Sequence, residues 1–317
     1  MKIVVTGCAG FIGANFTEYI LNNHPDDTVI GIDCLTYAAC LPALSNLKKR
    51  SNFVFYKINI CDRAALSDIF LRERPDAVIN FAAESHVDRS IENSGVFTET
   101  NILGTDTLLD LSLKYGVARF HQVSTDEVYG DLPLDSCDSF IEQSPLAPSS
   151  PYSASKASAD LMTLAYHRTH GISVTVSRSS NNYGRFQHPE KLIPKVICLA
   201  LKNQPIPIYG NGLNIREWVN VLDHCRAIDL IVRRGRSGEI YNVGGGDLIS
   251  NVSLTRQLLQ LLDRPETLIT YTADRKGHDR KYALCCDKLK AELGWQPIVP
   301  FEDGLRDTVL HYTKGYQ

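Results

Sequence analysis

Long hydrophobic runs, positive net charge and metal-type cysteine spacing are all missing from this 317-residue sequence. No apolar run approaches the ~20 residues that a membrane-spanning helix needs. The net charge of -3 offers no basic field for a nucleic acid or an anionic membrane. The nine cysteines include no Cys-x-x-Cys pair, so we predict free thiols without a disulfide framework or a metal site. No charged and apolar leader precedes the first strand pattern. We therefore expect a soluble, cytoplasmic protein that binds a small molecule.

The N-terminal segment combines a short apolar strand pattern with three regularly spaced glycines. Residues 2–6 are apolar and β-branched, which predicts a strand buried on both faces. Gly7, Gly10 and Gly13 follow, and residues 14–21 continue as a helix pattern. Glycines let a backbone pass close to a pyrophosphate, and a helix N-terminus supplies free N–H groups and a positive dipole end. The spacing differs from the common Gly-x-Gly-x-x-Gly fingerprint, yet it indicates dinucleotide binding.

Strand and helix patterns alternate after this turn. The strand pattern at residues 28–32 ends in Asp33, twenty positions after Gly13. A carboxylate there accepts hydrogen bonds from an adenosine ribose and repels a 2′-phosphate, which favours NAD over NADP; the alternative is a solvated loop aspartate. Residues 52–60 and 77–81 are further strand patterns, with a helix pattern between them. This alternation predicts an α/β fold with a doubly wound parallel sheet.

Two polar segments follow the next strand pattern. Thr125, Asp126 and Glu127 come where that strand ends, at the edge where open α/β sheets bind ligands. Tyr152 and Lys156 are four residues apart in a helix pattern, so they project from one face. An ammonium lowers the pKa of a nearby phenol, and we expect Lys156 to prepare Tyr152 as a base in this way. Taken singly, either segment is more often a solvated surface feature, but their order after a glycine turn favours catalysis.

These features together resemble the extended short-chain dehydrogenase/reductase family. Within it, four motifs resemble the dTDP-glucose 4,6-dehydratases: Ser-Thr-Asp-Glu-Val-Tyr-Gly at 124–130, Pro-Ser-Ser-Pro-Tyr-Ser-Ala-Ser-Lys at 148–156, Asn-Asn-Tyr-Gly at 181–184 and Pro-Glu-Lys-Leu-Ile-Pro at 189–194. The similarity covers nearly the whole chain. The Asp-Glu pair is the specific motif, because relatives that only epimerise or decarboxylate usually lack it.

The resemblance implies the NAD-dependent loss of water from a nucleotide-linked glucose. Tyr152, assisted by Lys156, is expected to take the C4 hydroxyl proton while NAD+ takes the C4 hydride. Glu127 is then the base for the C5 proton, Asp126 the acid for the departing C6 hydroxyl, and Thr125 the residue that holds the C4 oxygen. The hydride returns to C6, so the reaction is that of a lyase. Three alternatives stay open: a nucleotide-sugar 4-epimerase with the same tyrosine, a 4,6-dehydratase for UDP-glucose, and a catalytically silent binder.

The resemblance also implies two sets of binding residues. Those expected around NAD are Gly7, Gly10, Phe11, Ile12, Gly13, Asp33, Leu35, Thr36, Asn59, Ile60, Ala82, Ala83, Ser85, Thr100, Tyr152, Lys156 and Asn182. Those expected around the nucleotide sugar are Ser85, Thr125, Asn181, Lys191, Leu192, Pro207, Ile208, Tyr209, Arg216, Asn251, Asp274, Arg275 and His278. Arg216 and Arg275 are assigned to the diphosphate, because guanidinium forks match phosphate oxygens.

The later chain predicts a smaller α/β lobe for the substrate. A helix pattern opens at residues 189–192, and the proline-interrupted segment 205–210 is unlike a central strand. We assign residues 1–180 to an NAD-binding Rossmann domain and residues 181–317 mainly to a nucleotide-sugar lobe. Residues 216–245 are expected to return to the first domain.

Four residues depart from the family pattern. They are Cys8, in a turn position that is usually glycine, Asn59, Arg185 and Lys276. The amide of Asn59 can still bond an adenine, whereas Arg185 and Lys276 are expected to add positive charge on the substrate side. His86 is either catalytic or, as we favour, structural.

Two helix patterns carry more apolar residues than one buried stripe needs. The pattern at 96–114 contains Ile102, Leu103, Leu108, Leu109, Leu111 and Leu113, and the helix of Tyr152 continues through Ala157, Leu161, Leu164 and Ala165. In relatives of the resembled family the corresponding helices pair in a four-helix bundle, which implies a homodimer. The alternative is that both faces are covered within one monomer.

Overall fold

The structure is a computed structural model and describes residues 1–314. Its strands are β1 (Lys2–Thr6), β2 (Thr28–Asp33), β3 (Phe53–Lys57), β4 (Ala77–Asn80), β5 (Arg119–Thr125), β6 (Val174–Ser179), β7 (Asn181–Tyr183), β8 (Ile206–Tyr209), β9 (Ile215–Asn220), β10 (Glu239–Val243), β11 (Asp247–Ser250) and β12 (Ile269–Thr272). Its α-helices are α1 (Phe11–Asn23), α2 (Leu41–Leu47), α3 (Arg63–Glu73), α4 (Val87–Glu92), α5 (Gly95–Phe97), α6 (Gly104–Lys114), α7 (Pro151–His170), α8 (Leu192–Leu201), α9 (Val221–Arg234), α10 (Asn251–Leu261), α11 (Asp287–Leu293) and α12 (Phe301–Thr313). A π-helical turn at Thr98–Leu103 and 3₁₀ turns at Asp126–Tyr129 and Glu266–Leu268 lie between these elements.

Seven strands form one parallel sheet in the order β10-β6-β5-β4-β1-β2-β3. The central strands are buried on both faces: Ile3 and Val5 pack into one core with Phe16, whereas Val4 packs into the opposite core with Phe70. Continuous β-branched runs suit this two-sided burial. The predicted doubly wound sheet is therefore confirmed, although the predicted strand at 52–60 is shorter and ends at Lys57.

The glycine turn joins β1 to α1 with no room for side chains at two positions. Gly7 has φ +67°, and a Cβ there would lie 2.7 Å from the backbone nitrogen of Ala82. A Cβ on Gly13 would lie 2.2 Å from the carbonyl oxygen of Gly7. The helix begins at Phe11, earlier than predicted, because the carbonyl of Gly10 already accepts the N–H of Ala14 at 2.9 Å. The turn therefore brings the N-terminus of α1 directly against the end of the sheet.

Helix α7 carries Tyr152 and Lys156 and is capped at both termini. Ser150 and Ser153 form a capping box, and the helix ends at His170, followed by Gly171, whose φ of +72° suits a left-handed C-cap. The helix packs on β5, β6 and α6. The neighbouring segment at 96–114, predicted as one regular helix, is α5, the π-helical turn and α6 in succession.

A smaller lobe is built from the later elements. It contains the sheet β11-β9-β7 and the pair β12-β8, packed with α8, α10 and α12 around a core that includes Ile197, Trp218, Leu258 and Leu305. Of the range 216–245, α9 packs on α1 and β10 joins the large sheet, but β9 pairs with β7 and β11 in the smaller sheet. The return to the first domain thus begins after Asn220. The boundary at residue 180 remains a prediction.

Within residues 1–314 no helix has both the length and the apolar composition required to cross a membrane. All nine cysteines lie within residues 1–314, and the structure shows each of them as a free thiol. The same range contains no cluster of three or more His, Cys, Asp or Glu side chains arranged to hold a metal ion.

Candidate active site

A cavity of about 480 Å³ opens at the carboxyl ends of the large sheet. Its walls come from the glycine turn, the end of β2, the segment after β4, the end of β5 with the turn that follows, and helix α7. Residues 187–191, between β7 and α8, close one side. In an open parallel sheet this edge is where ligands bind, because the crossover loops diverge there.

The glycine turn and Asp33 form one end of this cavity. One carboxylate oxygen of Asp33 accepts the N–H of Ala9 at 3.0 Å, and the other accepts the N–H of Leu35 at 2.7 Å. Burial raises the pKa of Asp33, and these two hydrogen bonds oppose the shift. A cradle without side chains at a helix N-terminus fits a pyrophosphate, and a fixed carboxylate beyond it fits a ribose, so the residues present suit a dinucleotide.

The cavity contains nearly all of the residues predicted to surround NAD. Leu35 is the exception, because it does not line the cavity. Its N–H donates to the carboxylate of Asp33, and its backbone has φ +59°. Those that line the cavity are Gly7, Gly10, Phe11, Ile12, Gly13, Asp33, Thr36, Asn59, Ile60, Ala82, Ala83, Ser85, Thr100, Tyr152, Lys156 and Asn182.

The Thr-Asp-Glu segment is held by its own short turn. Thr125 is the last residue of β5 and caps the 3₁₀ turn, since its hydroxyl oxygen accepts the N–H of Glu127 at 3.3 Å. The same hydroxyl donates to one carboxyl oxygen of Asp126 at 3.2 Å, and the second oxygen of Asp126 is buried without a partner among the described residues. Strand register and cap therefore fix all three side chains at the cavity.

The two adjacent carboxyls lie in different electrostatic surroundings. Burial raises the pKa of Asp126 well above its ordinary value, and the negative charges of Glu127 and Glu217 add to this effect. Burial also raises the pKa of Glu127, but the positive charges of Arg275, Arg216 and Lys191 oppose the shift. Asp126 therefore favours the neutral acid, and Glu127 is the better candidate for the carboxylate.

Tyr152 and Lys156 face the cavity beside this turn, but their charges differ from the expectation. Burial raises the pKa of Tyr152, and so do Glu127 and Asp126; a hydrogen bond with Thr125 opposes them. Burial lowers the pKa of Lys156 to about 8, and its ammonium donates to the carbonyl of Val123 at 2.6 Å. The expected lowering of the phenol pKa by Lys156 does not appear in this structure, because burial and the two neighbouring carboxyl groups raise that pKa.

The predicted substrate residues fall into two groups. Four line the cavity: Ser85, Thr125, Asn181 and Lys191. The others lie outside its lining, mainly in the smaller lobe: Leu192, Pro207, Ile208, Tyr209, Arg216, Asn251, Asp274, Arg275 and His278.

Several members of the second group already have protein partners. The Tyr209 hydroxyl donates to Asp88 at 3.0 Å, and the guanidinium of Arg275 lies 3.7 Å from the same carboxylate. The guanidinium of Arg216 donates to the carbonyl of Asp279 at 2.8 Å, and Asp274 bonds His278 at 2.6 Å. The charges of Arg216 and Arg275 also act on Glu127, where they oppose the rise in its pKa.

Two residues that line the cavity or hold its lining in place were not among the predicted site residues. His224, from α9, bonds the side-chain oxygen of Asn182 at 2.8 Å, and burial lowers the pKa of His224 to about 3, so the ring is neutral. Glu190 lines the cavity and lies within 3.8 Å of both His86 and His188. The motif at 189–194 was a signal for Glu190, whereas only the tertiary fold reveals His224.

The structure locates the four residues that depart from the family pattern, and also His86. Arg185 does not add free charge on the substrate side, because its guanidinium bonds Glu18 and Asn15 of α1. Cys8 is fully buried in the core under the glycine turn. Lys276 is exposed, and Asn59 lines the cavity. His86 caps α4 by accepting the N–H of Arg89 at 3.4 Å, in agreement with a structural role.

Comparison with known proteins places the chain in a family. The family model described as GDP-mannose 4,6 dehydratase matches residues 4–308. The chain belongs to this family. Its curated relatives include the dTDP-glucose 4,6-dehydratase of Haemophilus influenzae, which is 48% identical over 332 residues and is matched across 98% of this chain and 98% of its own length.

Solved structures with the same fold include a dehydratase and an epimerase. The dTDP-glucose 4,6-dehydratase DesIV of Streptomyces venezuelae, with NAD and TYD bound, has 46% identity and a TM-score of 0.96 over 100% of this chain and 98% of that one. The UDP-glucose 4-epimerase of Thermotoga maritima, with UDP-glucose, has 32% identity and a TM-score of 0.92 over 100% of both chains. The resemblance to this group of enzymes and the extended dehydrogenase fold predicted from the sequence are confirmed.

Proposed function

We propose that this protein is a hydro-lyase that converts dTDP-glucose into dTDP-4-keto-6-deoxyglucose and water, with NAD as a tightly held cofactor. The observation that carries the proposal is the pair of carboxyls, Asp126 and Glu127, beside Tyr152 at one cavity with a glycine cradle. The relatives named for this activity, and the solved relative with NAD and TYD bound, support the same reading.

The first step is oxidation of the sugar at C4. NAD+ accepts the hydride of C4 and later returns it to C6. Tyr152 takes the C4 hydroxyl proton, and Thr125 holds the C4 oxygen in place. Burial and the two neighbouring carboxyl groups favour the phenol form of Tyr152. We therefore propose that Tyr152 acts as a base only when Lys156, whose pKa is about 8, is protonated and Asp126 is neutral. The protonation state of Asp126 thus serves both halves of the reaction.

The second step is elimination of water across C5 and C6. The new C4 ketone acidifies C5, and Glu127 takes the C5 proton as its carboxylate. Asp126 protonates the departing C6 hydroxyl, so the C6–O bond breaks and water leaves. Burial raises the pKa of both carboxyls, but negative neighbours add to the rise at Asp126 and three cations oppose it at Glu127, which supports this division of duties. An enzyme that only inverted C4 would have no use for such a pair.

The smaller lobe is proposed to hold the nucleotide. Arg216 and Arg275 suit a diphosphate by charge and geometry, and both lie close enough to Glu127 to affect its pKa. Arg275 would exchange its contact with Asp88 for the phosphate oxygens. The division of the chain near residue 180 and the cytoplasmic location remain predictions.

The test is turnover of dTDP-glucose by the purified protein, followed by the alkali absorbance of a 4-keto-6-deoxy sugar. UDP-, CDP- and GDP-glucose in parallel identify the preferred nucleotide, and a galactose nucleotide as the only product would identify an epimerase. Absence of the keto product with all four substrates would refute the proposed lyase activity.

We also propose a homodimer that uses α6 and α7. Leu103, which ends the π-helical turn just before α6, and Leu161 on α7 are each 57% exposed, and Ala165 on α7 is exposed too, whereas Leu108 and Leu109 are buried within the monomer. Pairing of this apolar face with a second copy would bury it in an isologous interface. Sedimentation at micromolar concentration tests the proposal, and a fully active species of monomer mass would refute it.

A further inference from the structure

A buried ion pair lies behind the catalytic residues, outside the lining of the cavity. One carboxylate oxygen of Asp160, on α7, accepts the Nε–H of Arg178, on β6, at 2.9 Å. The side chain of Asp160 is fully buried, and that of Arg178 is 2% exposed. Replacement of such a pair by packed apolar residues is often neutral or stabilising, so stability alone is a weak reason for its presence. A role in the geometry or charge of the site is the stronger explanation.

The pair touches the Tyr152–Lys156 half of the site through α7 and β5. Tyr152, Lys156 and Asp160 are spaced by four residues, so they lie along one face of the helix. Lys156 donates to the carbonyl of Val123, the residue before Ser124. Ser124 is the register partner of Arg178 on the adjacent strand. The Ser124 hydroxyl and the second oxygen of Asp160 are both buried, and a side-chain hydrogen bond with Ser124 lowers the pKa of Asp160 against the effect of burial.

The pair also touches the turn that carries Asp126 and Glu127. The guanidinium carbon of Arg178 lies 4.8 Å from the ring centroid of Tyr129, the last residue of that turn. The Tyr129 hydroxyl donates to Asn242 on β10 at 2.8 Å, and the ring stacks on Phe140. Arg178 is therefore in contact with the helix of the oxidation residues on one side and with the turn of the elimination residues on the other.

We propose that Asp160 and Arg178 form a positioning pair with two separable duties: Asp160 keeps Lys156 protonated for C4 oxidation, and Arg178 holds the Asp126–Glu127 turn in register for elimination. This inference rests on the proposed function. Neither residue touches the reacting atoms, so each acts through a neighbour, and each should influence a different half of the reaction.

The charges around the pair determine the sign of the expected effect. The titratable and charged groups around Asp160 are Tyr152 and Lys156 on α7, Arg178 on β6, and Asp126, Glu127 and Tyr129 on the turn. The charge of Glu142 acts on Tyr129. On α4 and α6, Asp88 accepts the hydroxyl of Tyr209, and Asp106 accepts the hydroxyl of Tyr166. Asp160 supplies the negative charge that raises the pKa of Lys156 against burial. Without it, Lys156 loses its proton at lower pH, and the remaining charge of Arg178 acts in the same direction.

The experiment measures the two half-reactions separately as a function of pH. Oxidation is followed as nicotinamide absorbance in a single turnover with dTDP-glucose, and elimination as deuterium exchange at C5. For Asp160→Asn we expect the alkaline limb of the oxidation profile to move down by about one pH unit. For Arg178→Lys, which keeps the charge but loses the flat contact with Tyr129, we expect an unmoved oxidation limb and C5 exchange slowed roughly 10-fold or more.

A control variant and a double variant distinguish the proposed effects from a general loss of stability. Asp229→Asn removes a buried partner of Arg233 on α9, outside the lining of the cavity, and should lower the melting temperature without moving either pH profile. If Asp160→Asn does not fold, the double variant D160L/R178M replaces the pair by apolar side chains and should remain folded. It should show both the shifted oxidation limb and the slowed exchange.

Each outcome decides the proposal. An oxidation limb at the parent position in folded Asp160→Asn or D160L/R178M would refute the duty of Asp160. An equal slowing of both half-reactions by Arg178→Lys, or no slowing, would refute that of Arg178. A parent protein that reduces no NAD+ with dTDP-glucose would refute the proposed function instead, so the two failures are distinguishable.

Discussion

Replacement of Glu127 by glutamine separates the two halves of the proposed reaction. The side chain keeps its size at the half-buried end of the turn, but it loses the ability to accept the C5 proton. Tyr152, Lys156 and the glycine cradle are untouched. C4 oxidation should therefore continue, while removal of the C5 proton should slow by ~10²–10⁴-fold, the usual contribution of a general base.

The charge around Glu127 sets a second expectation for the same variant. Arg275, Arg216 and Lys191 all act on the Glu127 carboxylate, so its loss leaves three cations without a common counter-charge. A substrate diphosphate can supply that counter-charge. We expect Glu127→Gln to bind dTDP-glucose at least as tightly as the parent, which makes a loss of turnover a loss of chemistry rather than of binding.

The assay compares three signals in one set of samples. Nicotinamide absorbance reports oxidation, mass spectrometry in deuterated water reports exchange at C5, and absorbance in alkali reports the keto product. Glu73→Gln is the control, because Glu73 is a carboxyl outside the cavity whose contact with the Tyr56 hydroxyl a glutamine oxygen can keep. C5 exchange at the parent rate in Glu127→Gln would show that another group is the base.

Three further changes test other parts of the site. Tyr152→Phe should abolish reduction of NAD+ by substrate while leaving NAD binding intact, as measured by absorbance and by cofactor content after gel filtration; reduction at the parent rate would exclude Tyr152 as the base. Gly13→Ala should cost most of the bound NAD, because the new Cβ would lie 2.2 Å from the Gly7 carbonyl oxygen, and full cofactor content would contradict the cradle. Asp126→Asn should raise the melting temperature at neutral pH while stopping dehydration, since a carboxyl with a raised pKa stabilises the fold only while it is protonated. The parent loses that stability as pH rises above the unfolded pKa of about 4, so the difference between variant and parent should shrink toward pH 4 and below; a constant difference across pH would contradict the raised pKa.

Local patterns were sufficient for the first half of the fold. The strands β1 and β2 follow the predicted bounds almost residue for residue, because runs such as Lys2–Thr6 match burial on both faces of a parallel sheet. The glycine spacing predicted the turn, since Gly7 and Gly13 have no space for a Cβ. The Tyr-x-x-x-Lys spacing predicted a shared helix face, and α7 provides it.

Contacts between distant segments were beyond the reach of local patterns. The strand pattern at β9 is compatible with either sheet, and only pairing with β7 and β11 assigns it to the smaller one. The partner of Arg185 is Glu18, far away in the chain, so its charge is balanced where the sequence suggested a free cation. His224 looks like any other helix residue until α9 packs against Asn182.

The assignment of acid and base to two adjacent carboxyls also depends on the tertiary structure. In a 3₁₀ turn consecutive side chains diverge by about a third of a rotation, and here the Asp126 carboxyl accepts the Thr125 hydroxyl while the Glu127 carboxyl has no such contact with it. The cations that oppose the rise in the Glu127 pKa, Arg216 and Arg275, come from the smaller lobe. In the proposed reaction, the residues for oxidation therefore lie beside the large sheet, whereas two of the cations that act on the proposed elimination base lie in the smaller lobe.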